Sequence, residues 1–275
     1  LGSRGPLPQL VLGDEGARFI ELDGSPDLLI VAVKAHALGT VAQAITPRIG
    51  PGTLILPALN GVPWWFLGDE PIAAADPGGA AAAAFPLAQV IGCVVHASAT
   101  RPAPGRVALN HADALLLGEP GGGTSERIAT LVETLEEAGL PARASADIRR
   151  DIWYKLWGNA TTNPISALTR ATADQLLAEP ATRAWIREGM VELAALGAAV
   201  GCPIAQSPDE RMEVTARLGA FKTSMLQDLE AGRPLELDAL LGAPIEIAKA
   251  RGIAVPALER LYGVTALLAR GAGLS

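Results

Sequence analysis

One lysine and two asparagines stand at helical spacing in the stretch RRDIWYKLWGNATTNPISAL, residues 149–168. Lys155, Asn159 and Asn163 follow one another at i, i+4 and i+8, so their side chains line one stripe of a helix. A lysine can donate a proton to a developing alkoxide when burial brings its pKa towards the operating pH, and carboxamides both donate and accept hydrogen bonds. The stripe therefore combines one potential acid with two carboxamides. The plainer alternative is a solvated edge of an amphipathic helix.

The element that must position this stripe is a helix predicted over residues 148–162. Trp153, Leu156, Trp157 and Ala160 recur at helical spacing and predict a buried stripe beside the polar one. Pro164 suits a helix end or a kink, and would aim the last carboxamide at a helix terminus.

A second polar stretch, KTSMLQDLEAGRPLELDALLG, covers residues 222–242. It places five polar side chains around a Gly-Arg-Pro turn: Ser224, Gln227, Asp228, Glu236 and Asp238. Hydroxyl, amide and carboxylate groups in one short segment could complement the lysine helix, either as substrate ligands or as partners of the ammonium group.

Together the two stretches resemble the ketopantoate reductase (2-dehydropantoate 2-reductase) family. In that family a helix of the form W-x-K-L-x-x-N-x-x-x-N-P carries the catalytic lysine, and an S-M-x-Q-D-x-x-x-G-R-x-x-E-x-D segment supplies a serine and a carboxylate. Both patterns stand in this sequence in that order. The resemblance implies NADPH-dependent reduction of a branched 2-keto acid, ketopantoate being the family's substrate.

The same resemblance assigns roles to the polar residues. Lys155 would be the general acid, and Glu236 would pair with that lysine or receive the substrate hydroxyl. Ser224 would donate to the substrate carboxylate, while Asn159 and Asn163 would hold its polar atoms. The plainer alternatives are a solvated lysine and, for Glu236, a carboxylate at a helix N-terminus.

The first half of the chain reads as part of a dinucleotide-binding fold. Residues 27–33 predict a strand buried on both faces of a parallel sheet, 39–49 a helix and 53–57 a second strand. Lys34 and Asn60 follow these strands, where open α/β sheets bind ligands. In the resembling family both positions lie near the nicotinamide and its ribose, although Asn60 could also belong to a plain Asn-Gly turn.

The glycine turn that opens such a fold is not found in this sequence. No GxGxxG follows an opening strand, and the glycines of residues 121–123 stand in a turn before a helix start at Ser125. We expect that the first roughly 25–50 residues of the fold either lie outside this sequence or are lacking from the protein. If they are lacking, we expect weak binding of nicotinamide cofactor.

The remaining pattern predicts a Rossmann-like domain over residues 1–146 and an all-helical domain over 147–275. In the first we expect a short helix capped by Asp76, together with a strand at 90–96, a hairpin of 106–109 with 114–117, a helix at 126–138 and a strand at 142–144. In the second we expect helices at 173–179, 181–200, 208–230, 236–251 and 256–270.

Two features of the sequence depart from the family pattern. Phe221 stands where family members carry a polar residue three positions before the serine, and Trp64 and Trp65 follow the Asn-Gly near the expected cleft. Both departures leave the reaction type unchanged and put the identity of the substrate in doubt.

Composition excludes several classes of partner. The chain has 275 residues and a net charge of −7 without a clustered basic face, which argues against nucleic acid. Two distant cysteines indicate a reduced, cytoplasmic protein, and the sequence has no apolar run of the roughly 18 residues that span a bilayer. His36 and His96 are interpreted as structural, with no metal site expected.

Three functions remain open. The first is the NADPH-dependent reductase, and the second is a paralogue that reduces another 2-keto acid or oxidises a 3-hydroxy acid. The third is a non-catalytic dimeric binding protein, favoured only if the natural chain lacks the glycine turn. The apolar faces of residues 181–200 and neighbouring helices predict packing inside the helical domain, with a homodimer as the further use of that surface.

Overall fold

The structure is a computed structural model, and it describes residues 12–13, 16–17, 24–103 and 106–274. Its first half is an α/β, Rossmann-like layer and its second half is all-helical, as predicted. The first two strands, β1 (Leu12–Gly13) and β2 (Gly16–Ala17), form a short antiparallel pair.

The parallel part of the sheet lies next along the chain. Strand β3 (Leu28–Val31) pairs in parallel with β4 (Leu54–Pro57), and helix α1 (Leu38–Ile45) connects them. The predicted strand–helix–strand order is confirmed. The prediction that β3 is buried on both faces is wrong, because the side chain of Ile30 is 46 % exposed. Val31, on the opposite face, is buried in one core cluster with residues of α1, whereas Ile30 points the other way.

A longer antiparallel pair continues this layer. Strand β5 (Gly92–Ala103) pairs with β6 (Arg106–Gly118), and β7 (Ala142–Ala144) adds in parallel to β6. The predicted hairpin within residues 106–117 is wrong, because this segment is one continuous strand whose hairpin partner is β5. Register shifts along the pair accommodate the residues between the two predicted arms of that hairpin.

Two helices of this half carry the caps that the sequence predicts. Asp76 accepts hydrogen bonds from the backbone N–H groups of Ala81 and Ala82, at 2.9 Å each, and so caps α2 (Ala80–Ala84). Ser125 caps α3 (Glu126–Glu137) through Ile128 N–H. A parallel bridge between Ile55 and Val90 joins β4 to the chain entering β5.

The helical half surrounds α4 (Ile148–Thr169). Its other helices are α5 (Ala173–Ala178), α6 (Pro180–Ala199), α7 (Pro208–Ala216), α8 (Ser224–Glu230), a π-helical segment (Asp238–Gly242) continuing into α9 (Ala243–Ala250), and α10 (Pro256–Gly271). The predicted single helix over 208–230 is wrong. Gly219, with φ of +72°, and the cap of α8 at Thr223 separate two helices there.

Helix α4 is held by its tryptophans. The side chains of Trp153 and Trp157 are fully buried and donate hydrogen bonds to the carbonyl oxygens of Leu193 (3.1 Å) and Met190 (2.7 Å) on α6. The predicted apolar stripe is therefore confirmed. Of the two roles expected for Pro164, the helix end is wrong, because α4 continues through it to Thr169, whereas the kink stays a prediction.

Candidate active site

Lys155 lies at the junction of the two halves. Its ammonium group donates to the side-chain oxygen of Asn60 at 2.8 Å and to the backbone oxygen of Val95 at 2.6 Å. Burial is the largest influence on this group and lowers the pKa of Lys155 to about 8, while the charges of Cys93 and Glu236 act in the opposite direction. An ammonium with this pKa can release a proton near neutral pH.

A small cavity opens beside this ammonium group. Its walls come from the loop after β4, from β5 and from α4: Leu59, Asn60, Gly61, Cys93, Val94, Ile152, Lys155, Leu156 and Asn159. The lining is mostly apolar with a few polar groups, the composition of a small-molecule site. The structure thus places Lys155, Asn159 and Asn60 around one cavity, although the last comes from a distant part of the chain.

Glu236 contacts a different lysine from the one predicted. Lys34 donates to Glu236 at 3.1 Å and to Asp228 at 2.6 Å, and both carboxylate side chains are only 6 % exposed. The direct lysine partner of Glu236 in this structure is thus Lys34, and the other role expected for Glu236, receiving the substrate hydroxyl, stays a prediction. Asn60 stands between Glu236 and Lys155, since its amide nitrogen lies 3.5 Å from Glu236 while its oxygen accepts from Lys155.

The remaining ligands predicted for the substrate lie on α4 and at the start of α8. Asn163 donates to the hydroxyl of Ser224 at 3.4 Å, which brings the two polar stretches of the sequence together. Asn163 is buried and Ser224 is exposed. Asn159, between Lys155 and Asn163 along α4, lines the cavity.

The residues at the strand ends fit the nicotinamide end of a dinucleotide. Lys34 and Asn60 follow β3 and β4 at the carboxyl edge of the parallel pair, as predicted, and this edge is where open sheets bind nucleotides. Lys34 remains 36 % exposed despite its two ion pairs, so its ammonium group can still meet a ligand. An ammonium and a carboxamide can bind the hydroxyl and amide groups of such a cofactor.

Sequence reasoning assigned no role to three contributors to the site. Asp228, named only as a polar residue of the second stretch, accepts a hydrogen bond from Lys34, Cys93 lines the cavity, and the Val95 carbonyl accepts from Lys155. The Q-D pair of the second stretch was a usable signal for Asp228. A backbone carbonyl carries no sequence signal.

The aromatic departures from the family pattern lie beneath the site. Trp64 and Trp65 are 6 % and 3 % exposed and belong to the main hydrophobic core, where Trp64 contacts Phe85 with ring centroids 5.6 Å apart. They therefore support the loop that carries Asn60 from below.

Among the described residues, no group of three or more His, Cys, Asp or Glu side chains could hold a metal ion. No helix in those same ranges is long and apolar enough to cross a membrane.

Comparison with known proteins agrees with this geometry. The family model described as "Ketopantoate reductase PanE/ApbA" matches residues 8–122, and its C-terminal counterpart matches residues 147–269. A 2-dehydropantoate 2-reductase from Mesorhizobium japonicum is 39 % identical over 253 residues, covering 90 % of this chain and 78 % of the relative.

Solved structures show the same fold. A protein from Ralstonia solanacearum MolK2 assigned to the ketopantoate reductases superposes with a TM-score of 0.89 at 44 % identity, covering 97 % of this chain and 86 % of that one. A D-mandelate dehydrogenase solved with NADH and anilino(oxo)acetate gives a TM-score of 0.79 at 22 % identity, covering 92 % of this chain and 79 % of that one. At 22 % identity, the similarity to the D-mandelate dehydrogenase concerns the fold alone.

Proposed function

Because the chain belongs to the ketopantoate reductase family of NAD(P)-dependent oxidoreductases, we propose that it reduces 2-dehydropantoate (ketopantoate) to pantoate with NADPH. The observation that carries the proposal is the ammonium group of Lys155, held beside a small cavity by Asn60 and Val95 with its pKa lowered to about 8. A ketone reductase needs such an acid at the carbonyl oxygen.

When bound, the cofactor supplies the hydride that adds to the ketone carbon. Negative charge then develops on the ketone oxygen, where Lys155 stabilises it and transfers one proton from Nζ, leaving a neutral amine and the product hydroxyl. Asn60 keeps the ammonium group oriented through its side-chain oxygen. Asn163 and Ser224, which contact each other, hold the carboxylate end of the substrate.

Replacement of Lys155 tests this role. We expect Lys155→Ala to lower kcat for ketopantoate by about 10²–10⁴, the usual contribution of one general acid, with cofactor binding largely intact. Lys155→Arg should restore little, since a guanidinium group gives up its proton poorly. The measurement is steady-state oxidation of NADPH. A kcat for Lys155→Ala within about threefold of the wild type, less than 1 kcal/mol, would contradict the assignment.

The preference for NADPH over NADH comes from the family resemblance. Initial rates with each cofactor at matched ketopantoate concentration test it, and equal kcat/KM values would leave only the coarser assignment to nicotinamide cofactors.

We also propose that the protein is cytoplasmic. Its two cysteines are buried and form no disulfide, in keeping with a reducing compartment.

We further propose that the protein forms a homodimer. Apolar side chains remain exposed on α6 and α10, among them Val191 at 49 %, Val264 at 47 % and Leu267 at 64 %. Sedimentation that finds only monomer at every accessible concentration would remove this part of the proposal.

A further inference from the structure

Asp228 is a buried carboxylate that contacts two cations. The residue is 4 % exposed. Its Oδ2 atom accepts a hydrogen bond from Lys34 at 2.6 Å, and its Oδ1 atom accepts one from the Nε of Arg233 at 2.9 Å. Burying a carboxylate costs free energy unless its charge is paired and its oxygens have donors. Both conditions are met here, one cation to each oxygen.

Contacts within the helical half fix the position of Asp228. It lies on α8, whose start is capped by the Thr223 hydroxyl, which accepts from the N–H of Leu226 at 3.2 Å. The backbone oxygen of Asp228 also accepts from the N–H of Arg233 at 2.9 Å, so this arginine contacts both its main chain and its side chain. The carboxylate is thus a fixed point for Lys34, which arrives from the other half of the molecule.

The ammonium group of Lys34 lies closer to Asp228 than to Glu236, at 2.6 Å against 3.1 Å. The other donors to Glu236 are also distant, the N–H of Ala35 at 3.2 Å and the amide of Asn60 at 3.5 Å. All three distances to Glu236 exceed the roughly 2.7–2.9 Å of a strong charge-assisted hydrogen bond. The Glu236 carboxylate is therefore buried but weakly held, which suits a group that must accept a further donor.

The charge of Asp228 decides how Lys34 is shared. Lys34 and Arg233 balance Asp228 and Glu236, two positive charges against two negative ones. Loss of the Asp228 charge would leave two cations and one carboxylate, Glu236. Because attraction between charges is stronger in a partly buried site than in water, the ammonium group would move closer to Glu236. The oxygen that now accepts at 3.1 Å would then be occupied.

We propose that Asp228 is a positioning residue, which draws the ammonium group of Lys34 away from Glu236 and so keeps a Glu236 oxygen available to the substrate hydroxyl. The inference rests on the proposed reduction of ketopantoate and on the role of hydroxyl acceptor expected for Glu236. It adds that the preference for a hydroxylated keto acid depends on how one lysine is divided between two carboxylates.

The hydroxyl preference of the full chain tests this role. The probes are ketopantoate and trimethylpyruvate, which is ketopantoate without its hydroxyl group. Calorimetric titration with NADP⁺ present gives two dissociation constants, whose ratio is the preference. We expect a ratio of roughly 10 to 150 in the wild type, the range for a hydrogen bond to a charged group, and a ratio at least about fivefold smaller in Asp228→Asn. Glu230→Gln, which removes an exposed carboxylate of the same helix, is the matched control and should leave the ratio unchanged.

A double variant separates positioning from damage to the fold. If Lys34 occupies Glu236 once Asp228 is neutral, adding Lys34→Gln to Asp228→Asn should bring the ratio back to within about threefold of the wild type. Two losses of stability would instead accumulate. Lys34→Gln alone should keep the preference or increase it, and this arm tests the inference even where Asp228→Asn does not fold.

The inference is overturned if the wild type binds both probes equally, or if Asp228→Asn weakens both alike. It is also overturned if Lys34→Gln alone abolishes the preference, or if the double variant fails to restore it. Turnover with NADPH tests the proposed reaction separately. A preference that depends on Asp228, without turnover of either keto acid, would refute the reaction and leave the positioning role standing.

Discussion

At the scale of single residues, burial changes the pKa of one lysine on α4. The pKa of Lys155 falls from its usual value of 10.5 to about 8 because burial penalises the charged ammonium group, and the negative charges nearby only partly offset this. Lys34 has the same side chain and a raised pKa, because Glu236 and Asp228 favour its charged form more than burial opposes it. The pKa values of these two lysines are thereby shifted in opposite directions, and only the shift of Lys155 suits the acid role that we propose for it.

We expect the rate of reduction to fall with rising pH above about 8. Lys155 must carry its proton before the alkoxide forms, and the protonated fraction drops about tenfold for each pH unit above its pKa of about 8. The measurement is kcat for ketopantoate at saturating cofactor between pH 6 and about 10. Lys155→Ala should retain a low, flat profile over that range. A wild-type profile that rises through pH 8 would identify a group that acts as a base.

The residue types of the site were predictable, whereas their pairing was not. The spacing of Lys155, Asn159 and Asn163 fixes them on one stripe of any helix, and the structure brings Ser224 to that stripe as expected. Which lysine meets Glu236 depends on how two chain segments about 200 residues apart dock, since the Lys34–Glu236 separation in sequence is 202. Helical periodicity contains no information on such a contact.

At the scale of elements, a close backbone contact aligns the two halves of the site. Gly61, directly after Asn60, has φ of +82°, and a Cβ atom there would lie 2.6 Å from the carbonyl carbon of Ala239. The next residue, Val62, donates its N–H to the carbonyl oxygen of Ala239 at 2.9 Å. Ala239 belongs to the π-helical segment that follows Glu236. The loop and the segment therefore hold Asn60 and Glu236 near each other.

We expect Gly61→Ala to damage both stability and activity. A left-handed alanine costs about 1–2 kcal/mol, and overpacking against Ala239 adds about 1–3 kcal/mol. Gly68→Ala is the matched control, because φ is +67° there and a Cβ atom would meet nothing within 4 Å. Denaturant unfolding and kcat for ketopantoate are the measurements. Equal losses in the two variants would show that the contact with Ala239 can relax without consequence.

The errors in predicting elements have local physical causes. The helical pattern over 208–230 hides a break, because Gly219 adopts a positive φ that periodicity does not register. The sequence suggests a helix end or a kink at Pro164, and α4 runs on to Thr169, so the helix end is wrong. Pro164 and Ile165 are both buried there, so packing outweighs the missing N–H and the steric cost of an internal proline.

At the scale of the whole molecule, the composition and strand–helix rhythm were enough to predict an α/β layer followed by a helical half. The ion pairs that join the two halves could not be predicted from the sequence, because their side chains come from three separate segments of the chain. Lys34 follows β3, whereas Asp228 lies on α8 and Glu236 on the chain leading to the π-helical segment. Arg233 adds a second cation to Asp228 at 2.9 Å, so the joint is a four-membered charge network.

We expect Lys34→Gln to weaken this joint. Removing one partner of a buried ion pair typically costs about 3–5 kcal/mol, but the loss here should be nearer 2 kcal/mol. Arg233 still pairs with Asp228, and the backbone N–H of Ala35 still donates to Glu236 at 3.2 Å. In addition, Lys34 is itself partly exposed, which screens its charge.

Lys222→Gln supplies the comparison within one half. Lys222 pairs with Glu230 at 2.8 Å, but both side chains are exposed, at 51 % and 37 %, so its loss should cost less than about 1 kcal/mol. The free energy of unfolding in guanidinium chloride would be measured for both variants and the wild type. High salt should leave most of the Lys34→Gln deficit in place, because the carboxylates that it exposes are buried. Should the two variants lose the same stability, the network around Lys34 would be an ordinary surface cluster, and other contacts would hold the two halves together.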